Sequence, residues 1–143
     1  MTEPAIHVFD DHESLSRAAA DDLAGRLARL QGEGRVPSFA LTGGSSPRRL
    51  YELLAQPPWR EQVDWNRVEI FWGDERAVPP DSPDSNYLLA WETLLSKVSP
   101  PAERLHRIEG ERGPAVAVGG VTLKPRGSFL RSARSGGVFA SGM

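Results

Sequence analysis

The sequence contains no cysteine, which excludes disulfides, thiolate nucleophiles and Cys-based zinc or iron–sulfur sites and fits a reducing cytoplasm. Lysine is nearly absent, with only Lys97 and Lys124, and no Lys or Arg occurs before Glu13. No apolar run approaches the ~20 residues of a membrane span, so neither a signal peptide nor a membrane anchor is expected. Charge of one sign is also missing from one stretch. All 19 acidic residues lie between Glu3 and Glu111 with 12 basic ones, whereas residues 112–143 hold five basic residues, no acid and half of the 14 glycines. The overall formal charge of -2 gives no support to a nucleic-acid or membrane-surface partner.

What is present fits one folding unit. In 143 residues, 39% are hydrophobic and 25% charged, values of a globular domain rather than a disordered chain. Residues 5–10 (AIHVFD) alternate apolar and polar side chains and read as an edge strand. Over 13–31, Leu15, Ala19, Leu23, Leu27 and Leu30 recur at helical steps, which predicts an amphipathic helix ended by Gly32 and Gly34. The apolar run 36–41 reads as a strand leading into a Gly-rich turn at 42–46, after which Pro47 opens a helix to about Ala55. Residues 67–72 (RVEIFW) form the next strand and also end at a glycine, Gly73. A third helix is expected from Asp84 to about Lys97, capped by Asp84 or Ser85, with Leu88, Trp91, Leu95 and Val98 on one side. This alternation predicts an α/β fold: a Rossmann-like parallel sheet with helices on both faces. Loops that follow such strands line the ligand crevice.

Two of those loops carry candidate chemistry. Thr42-Gly43-Gly44-Ser45-Ser46-Pro47 combines glycines that allow close approach and positive φ, two hydroxyl donors and the unpaired N–H groups of a helix start, which together can hold a phosphate without lysine. The same string also serves as a tight turn before a helix. It matches neither G-x-x-x-x-G-K-[ST] nor G-x-G-x-x-G, so nucleotide and dinucleotide motifs are not met. The second loop is Gly73-Asp74-Glu75-Arg76-Ala77-Val78-Pro79. Here Arg76 can grip a phosphate or carboxylate in bidentate fashion, and Asp74 can orient it, position water or accept a substrate hydroxyl. An Asp74–Arg76 ion pair that braces the loop is the alternative. Pro79, Pro80 and Pro83 stiffen the segment that delivers Asp84, Ser85 and Asn86 to a helix start, where capping is their expected role. No His/carboxylate cluster has ligand spacing, so neither a metal nor an organic cofactor is implied.

Read together, LTGGSSPRRLYELLA at 41–55 and VEIFWGDERAVPPDSPDSNY at 68–87 closely resemble the N-terminal half of the 6-phosphogluconolactonase family, which shares an S/T-G-G-x-T/S-P phosphate loop with the glucosamine-6-phosphate isomerase group. The W-x-D-E-R-x-V-P…D-S-N-Y string favours the lactonase, and Asp74-Glu75-Arg76 argues against the isomerase. The resemblance covers about residues 5–111, including a strand-like His106-Arg107-Ile108. It implies cytoplasmic hydrolysis of 6-phospho-D-glucono-1,5-lactone to 6-phosphogluconate in the oxidative pentose phosphate pathway. In that implication Gly43, Gly44, Ser45 and Ser46 cradle the 6-phosphate, while Asp74 and Arg76 face the lactone.

The family's later G-x-D-G-H-x-A-S-L-F motif, whose histidine is the proposed general base, has no counterpart in the sequence. His7, His12 and His106 are expected to be structural or surface residues. The expected organisation is therefore a lactonase-like part over 1–111, with the fold truncated after about residue 111. The rest, 112–143, is an irregular or aberrant basic tail, of the kind a shifted reading frame or a gene-model error would produce. A non-catalytic sugar-phosphate-binding fragment is the alternative function. Oligomeric state has no signature in the sequence.

Overall fold

A computed structural model describes residues 5–113, 121–124 and 128–131. The first element, helix α1 (His12–Gly32), starts where the Asp11 carboxylate accepts the Ser14 N–H at 2.7 Å, a side-chain N-cap. Strand β1 (Ser38–Leu41), helix α2 (Arg48–Leu54), the short helix α3 (Trp59–Gln62) and strand β2 (Glu69–Trp72) follow. Helix α4 (Asn86–Ala90) continues through a π turn (Trp91–Leu95) into α5 (Ser96–Val98), and the two-residue strand β3 (Leu105–His106) comes next. Strands β1, β2 and β3 form one sheet in that order, all parallel, as the strand–helix alternation predicts. Beyond it, β4 (Val121–Lys124) and β5 (Ser128–Arg131) form a separate antiparallel pair. The remainder of the expected irregular tail past Gly113 lies outside the described residues.

The register decides which side of the sheet carries the core. Phe39 lies opposite Ile70 and Leu41 opposite Trp72, and Ile70 opposite Leu105. All five face the cluster that includes Ala20, Ala24 and Leu27 of α1, Tyr51, Leu53 and Leu54 of α2, and Ala90, Leu94 and Leu95 beyond. Side chains alternate across a strand, so the other side carries Ser38, Ala40, Glu69, Phe71 and His106. There His106 stacks on Phe71 with ring centroids 4.4 Å apart and contacts the Glu69 carboxylate at 2.6 Å, where Arg104 also lands. That histidine is engaged in holding β3 against β2.

Three expectations need correction. Residues 5–10 form no strand: all are exposed, Ile6 by 85% and Val8 by 88%. Alternation makes a strand only where a neighbour offers an open backbone ladder, and no described strand pairs with this segment. In α1 the expected stripe is borne out at Leu27, which is buried, and at Leu23, which packs against the core, but the other buried positions are Ser16, Ala20, Ala24 and Gln31. The helix sits close to its neighbours, a position that favours small side chains, and leaves Leu15 47% exposed. Gln31 is buried because its carboxamide bonds the Asp64 N–H and carbonyl, at 3.0 and 2.8 Å. In the third helix Leu95 is buried and Val98 packs on the core as expected, but the π turn inserts an extra residue and brings Thr93 and Leu94 to the buried side. Trp91 is thereby left 42% exposed.

Candidate functional site

The two glycine-ended strands are neighbours, and this decides where their loops go. Leu41 is in register with Trp72, and the Gly73 N–H donates to the Leu41 carbonyl at 2.9 Å. The loops 42–47 and 73–79 therefore leave the same carboxyl edge of the sheet side by side, where parallel α/β sheets bind ligands.

The first loop is pinned at both ends and open between them. The buried Tyr51 hydroxyl accepts the Thr42 N–H and donates to the Thr42 carbonyl, each at 2.9 Å. Burial, with the nearby Asp74 charge adding, pushes that phenol above its ordinary pKa. At the other end the Arg48 N–H bonds the Ser45 carbonyl. The Nε2–H of His12 donates to the Ser46 carbonyl at 3.1 Å, since a carbonyl can only accept. Glu13 holds Arg49 at 2.6 and 2.9 Å, and the Arg49 guanidinium pulls the Glu13 carboxyl down to about 2. The start of α1 thus braces the loop from outside. Between these pins, the backbone N–H groups of Gly43, Gly44, Ser45 and Ser46 have no partner among the described residues. Gly44 takes φ +90°, a conformation that glycine adopts without strain. Helix α2 has no side-chain cap, Pro47 occupying the cap position with helical φ and ψ. Ser45 and Ser46 are exposed and Gly43 is half-buried.

The second loop is organised by Glu75, which sequence reasoning left without a role. Its carboxylate accepts the backbone N–H groups of Arg76 at 2.8 Å, Asn86 at 2.7 Å and Tyr87 at 2.9 Å, and the Ser85 hydroxyl at 3.1 Å. Ser85 in turn caps α4 by accepting the Leu88 N–H, as expected. No Asp74–Arg76 ion pair occurs among the described contacts. Asp74 is half-buried and Arg76 exposed, so the guanidinium is not consumed in bracing its own loop. The Arg76 carbonyl is packed against Gly110, where an added Cβ would lie 2.0 Å from that oxygen.

One side chain joins the loops. Asn86 donates from Nδ2 to the Asp74 carbonyl at 3.2 Å, and its carboxamide lies against Gly43 so closely that a Cβ there would fall 1.8 Å from Oδ1. Gly43 is thus a glycine for the sake of Asn86, not only for a turn or a ligand. The signal available in the sequence was the doubled glycine, one more than positive φ requires. Among the described residues no group of three or more His, Asp or Glu is placed to hold a metal ion, and no helix is long and apolar enough to cross a membrane.

The sequence profile of the glucosamine-6-phosphate isomerases/6-phosphogluconolactonase family matches residues 10–122. The chain belongs to this family. It is 37% identical over 114 residues to the 6-phosphogluconolactonase of a Nostoc species, covering 78% of this chain and 45% of that one. It is 44% identical over 76 residues to the Haemophilus influenzae 6-phosphogluconolactonase, covering 53% of this chain and 33% of that one. The structure resembles that of 6-phosphogluconolactonase from Thermotoga maritima with a TM-score of 0.69 at 27% identity, over 80% of this chain and 50% of that chain. The Rossmann-like fold of the family is therefore present. This member spans at most about half the length of these relatives.

Proposed function

We infer that this chain supplies the sugar-phosphate-binding part of an enzyme that hydrolyses 6-phospho-D-glucono-1,5-lactone to 6-phosphogluconate, a step of the oxidative pentose phosphate pathway. The observation that carries the reading is the junction of the two loops at one sheet edge, with four N–H groups on one and a guanidinium on the other that have no partner among the described residues. In this reading the backbone and hydroxyls of Gly43, Gly44, Ser45 and Ser46 take the 6-phosphate, while Arg76 and Asp74 face the lactone ring. Lactone opening needs water attack at the carbonyl carbon, stabilisation of charge on its oxygen and a proton acceptor. Arg76 suits the second need and Asp74 the orientation of water or of a sugar hydroxyl.

A second reading is binding of the sugar phosphate without hydrolysis, which the exposed, glycine-rich phosphate loop supports by itself. Three measurements separate the readings: calorimetric titration of the full chain with 6-phosphogluconate, the same with gluconate, and acid release from the lactone against its spontaneous background. Binding of 6-phosphogluconate but not gluconate, with release above background, is expected for the hydrolase. Binding with background release assigns the second reading, and no binding overturns both.

A further inference from the structure

We propose that Asn86 is a positioning residue which sets the distance between the phosphate loop and the Asp74–Arg76 loop; the proposal rests on the functional reading above. The Asn86 side chain touches both loops, through Nδ2 to the Asp74 carbonyl and through its carboxamide against Gly43. It is 4% exposed, so water cannot substitute freely for its contacts. Its own place is fixed from the second loop. Glu75 takes the Asn86 N–H, and by holding Ser85 and Tyr87 on either side it fixes the first turn of α4 around it.

The chain of contacts runs Gly43, Asn86, Glu75, Arg76 and Gly110 without a gap. A ligand that engages both loops benefits from their fixed separation, because the ordering cost is met before binding. A ligand that sits on the first loop alone does not depend on it. Asn86 reaches neither the four free N–H groups nor the Arg76 guanidinium in any described contact, so it acts through the loops rather than on the substrate.

The test compares a two-ended probe with a one-ended probe. The full chain and its Asn86→Ala variant are titrated with 6-phosphogluconate and with inorganic phosphate, and amide hydrogen exchange is followed at 43–46 and 74–76. The variant is expected to lose about tenfold or more in affinity for 6-phosphogluconate, within the usual range for coupled sites. Phosphate affinity should change by less than about threefold, and both loops should exchange faster together while the amides of α1 keep their protection. An equal loss for both probes, or loops whose exchange is unchanged, would overturn the proposal.

If the unsubstituted chain binds neither probe, the functional reading fails, and the exchange data still decide whether Asn86 couples the loops. Should Asn86→Ala not fold, Gly43→Ala supplies the second test. The three atoms nearest the added Cβ all belong to the Asn86 carboxamide, so shortening Asn86 to Ser in the same chain should restore part of the melting temperature lost by Gly43→Ala. Failure of Gly43→Ala/Asn86→Ser to melt higher than Gly43→Ala would overturn the contact on which the proposal stands.

Discussion

The Glu75 carboxylate accepts the backbone N–H of Asn86 at 2.7 Å across eleven positions of sequence, so the loop that ends β2 and the first turn of α4 behave as one unit. The interaction is an N-cap delivered from a distance. It satisfies donors that the helix start would otherwise leave unpaired, and its negative charge lies at the favourable end of the backbone dipoles.

Glu75→Ala therefore strands the Asn86 and Tyr87 N–H groups and the Ser85 hydroxyl together. Loss of a cap costs about 0.5–2 kcal/mol, and the N–H of the buried Asn86 left unpaired adds about 1–3 kcal/mol, Tyr87 being only half-buried. A loss of about 2–4 kcal/mol in a urea unfolding curve is expected, with Glu75→Gln retaining part of it, since an amide oxygen still accepts. A Glu75→Ala variant that unfolds at the same urea concentration as the parent chain would show the cap to be dispensable.

Tyr51 offers a parallel case in the phosphate loop. Its hydroxyl is the partner of both polar backbone groups of Thr42, and Tyr51 is 2% exposed. Tyr51→Phe keeps the ring and its edge-on contact with Phe39 but removes two hydrogen bonds to the Thr42 backbone. About 1–3 kcal/mol of stability should be lost. Affinity for inorganic phosphate should fall with it, because the loop is no longer anchored at its entry.

Much of this architecture was legible in the sequence because strands and turns are written locally. The apolar runs ending in Gly43 and Gly73 give β1 and β2, and Ser85 before an apolar periodic stretch gives the third helix its start. The misreadings have a common cause: they depend on what lies next to an element in space. The alternating segment 5–10 stays unpaired because no described strand adjoins it. In α1 Leu27 is buried as expected while Leu15 is left exposed and Ser16, Ala20 and Ala24 are buried, because burial there is set by the approach of α2 and α3. Glu75 and Gly110 went unnoticed because each acts on backbone far along the chain, and no local pattern encodes such a contact.

The brace between α1 and α2 titrates. Its Arg49 partner lowers the Glu13 carboxyl from 4.5 to about 2, so the folded state holds the ionised form more strongly than the unfolded chain does. The stabilisation is complete above the unfolded value and is lost as pH falls through the folded one. Glu13→Gln should therefore lower the melting temperature at pH 7, and the gap between variant and parent should narrow from about pH 4.5 downward toward pH 2. The pair is partly exposed, at 43% for Glu13 and 32% for Arg49, so added salt should narrow the gap at pH 7 as well. A gap that does not change with pH would assign the contribution of Glu13 to packing instead of charge.

Gly110 tests whether the Asp74–Arg76 loop is held from its far side. An added Cβ would meet the Arg76 carbonyl oxygen at 2.0 Å and its carbon at 3.1 Å. Both are backbone atoms, which cannot rotate away as the end of a side chain would. Gly110→Ala must therefore displace either the turn at 110–112 or the loop itself. Overpacking of this kind costs about 1–3 kcal/mol. If the loop is what moves, Arg76 shifts relative to the phosphate loop, and 6-phosphogluconate should lose more affinity than inorganic phosphate does. A stability loss with both affinities intact would instead place the displacement in the 110–112 turn and show that the loop is fixed by Glu75 and Asn86 alone.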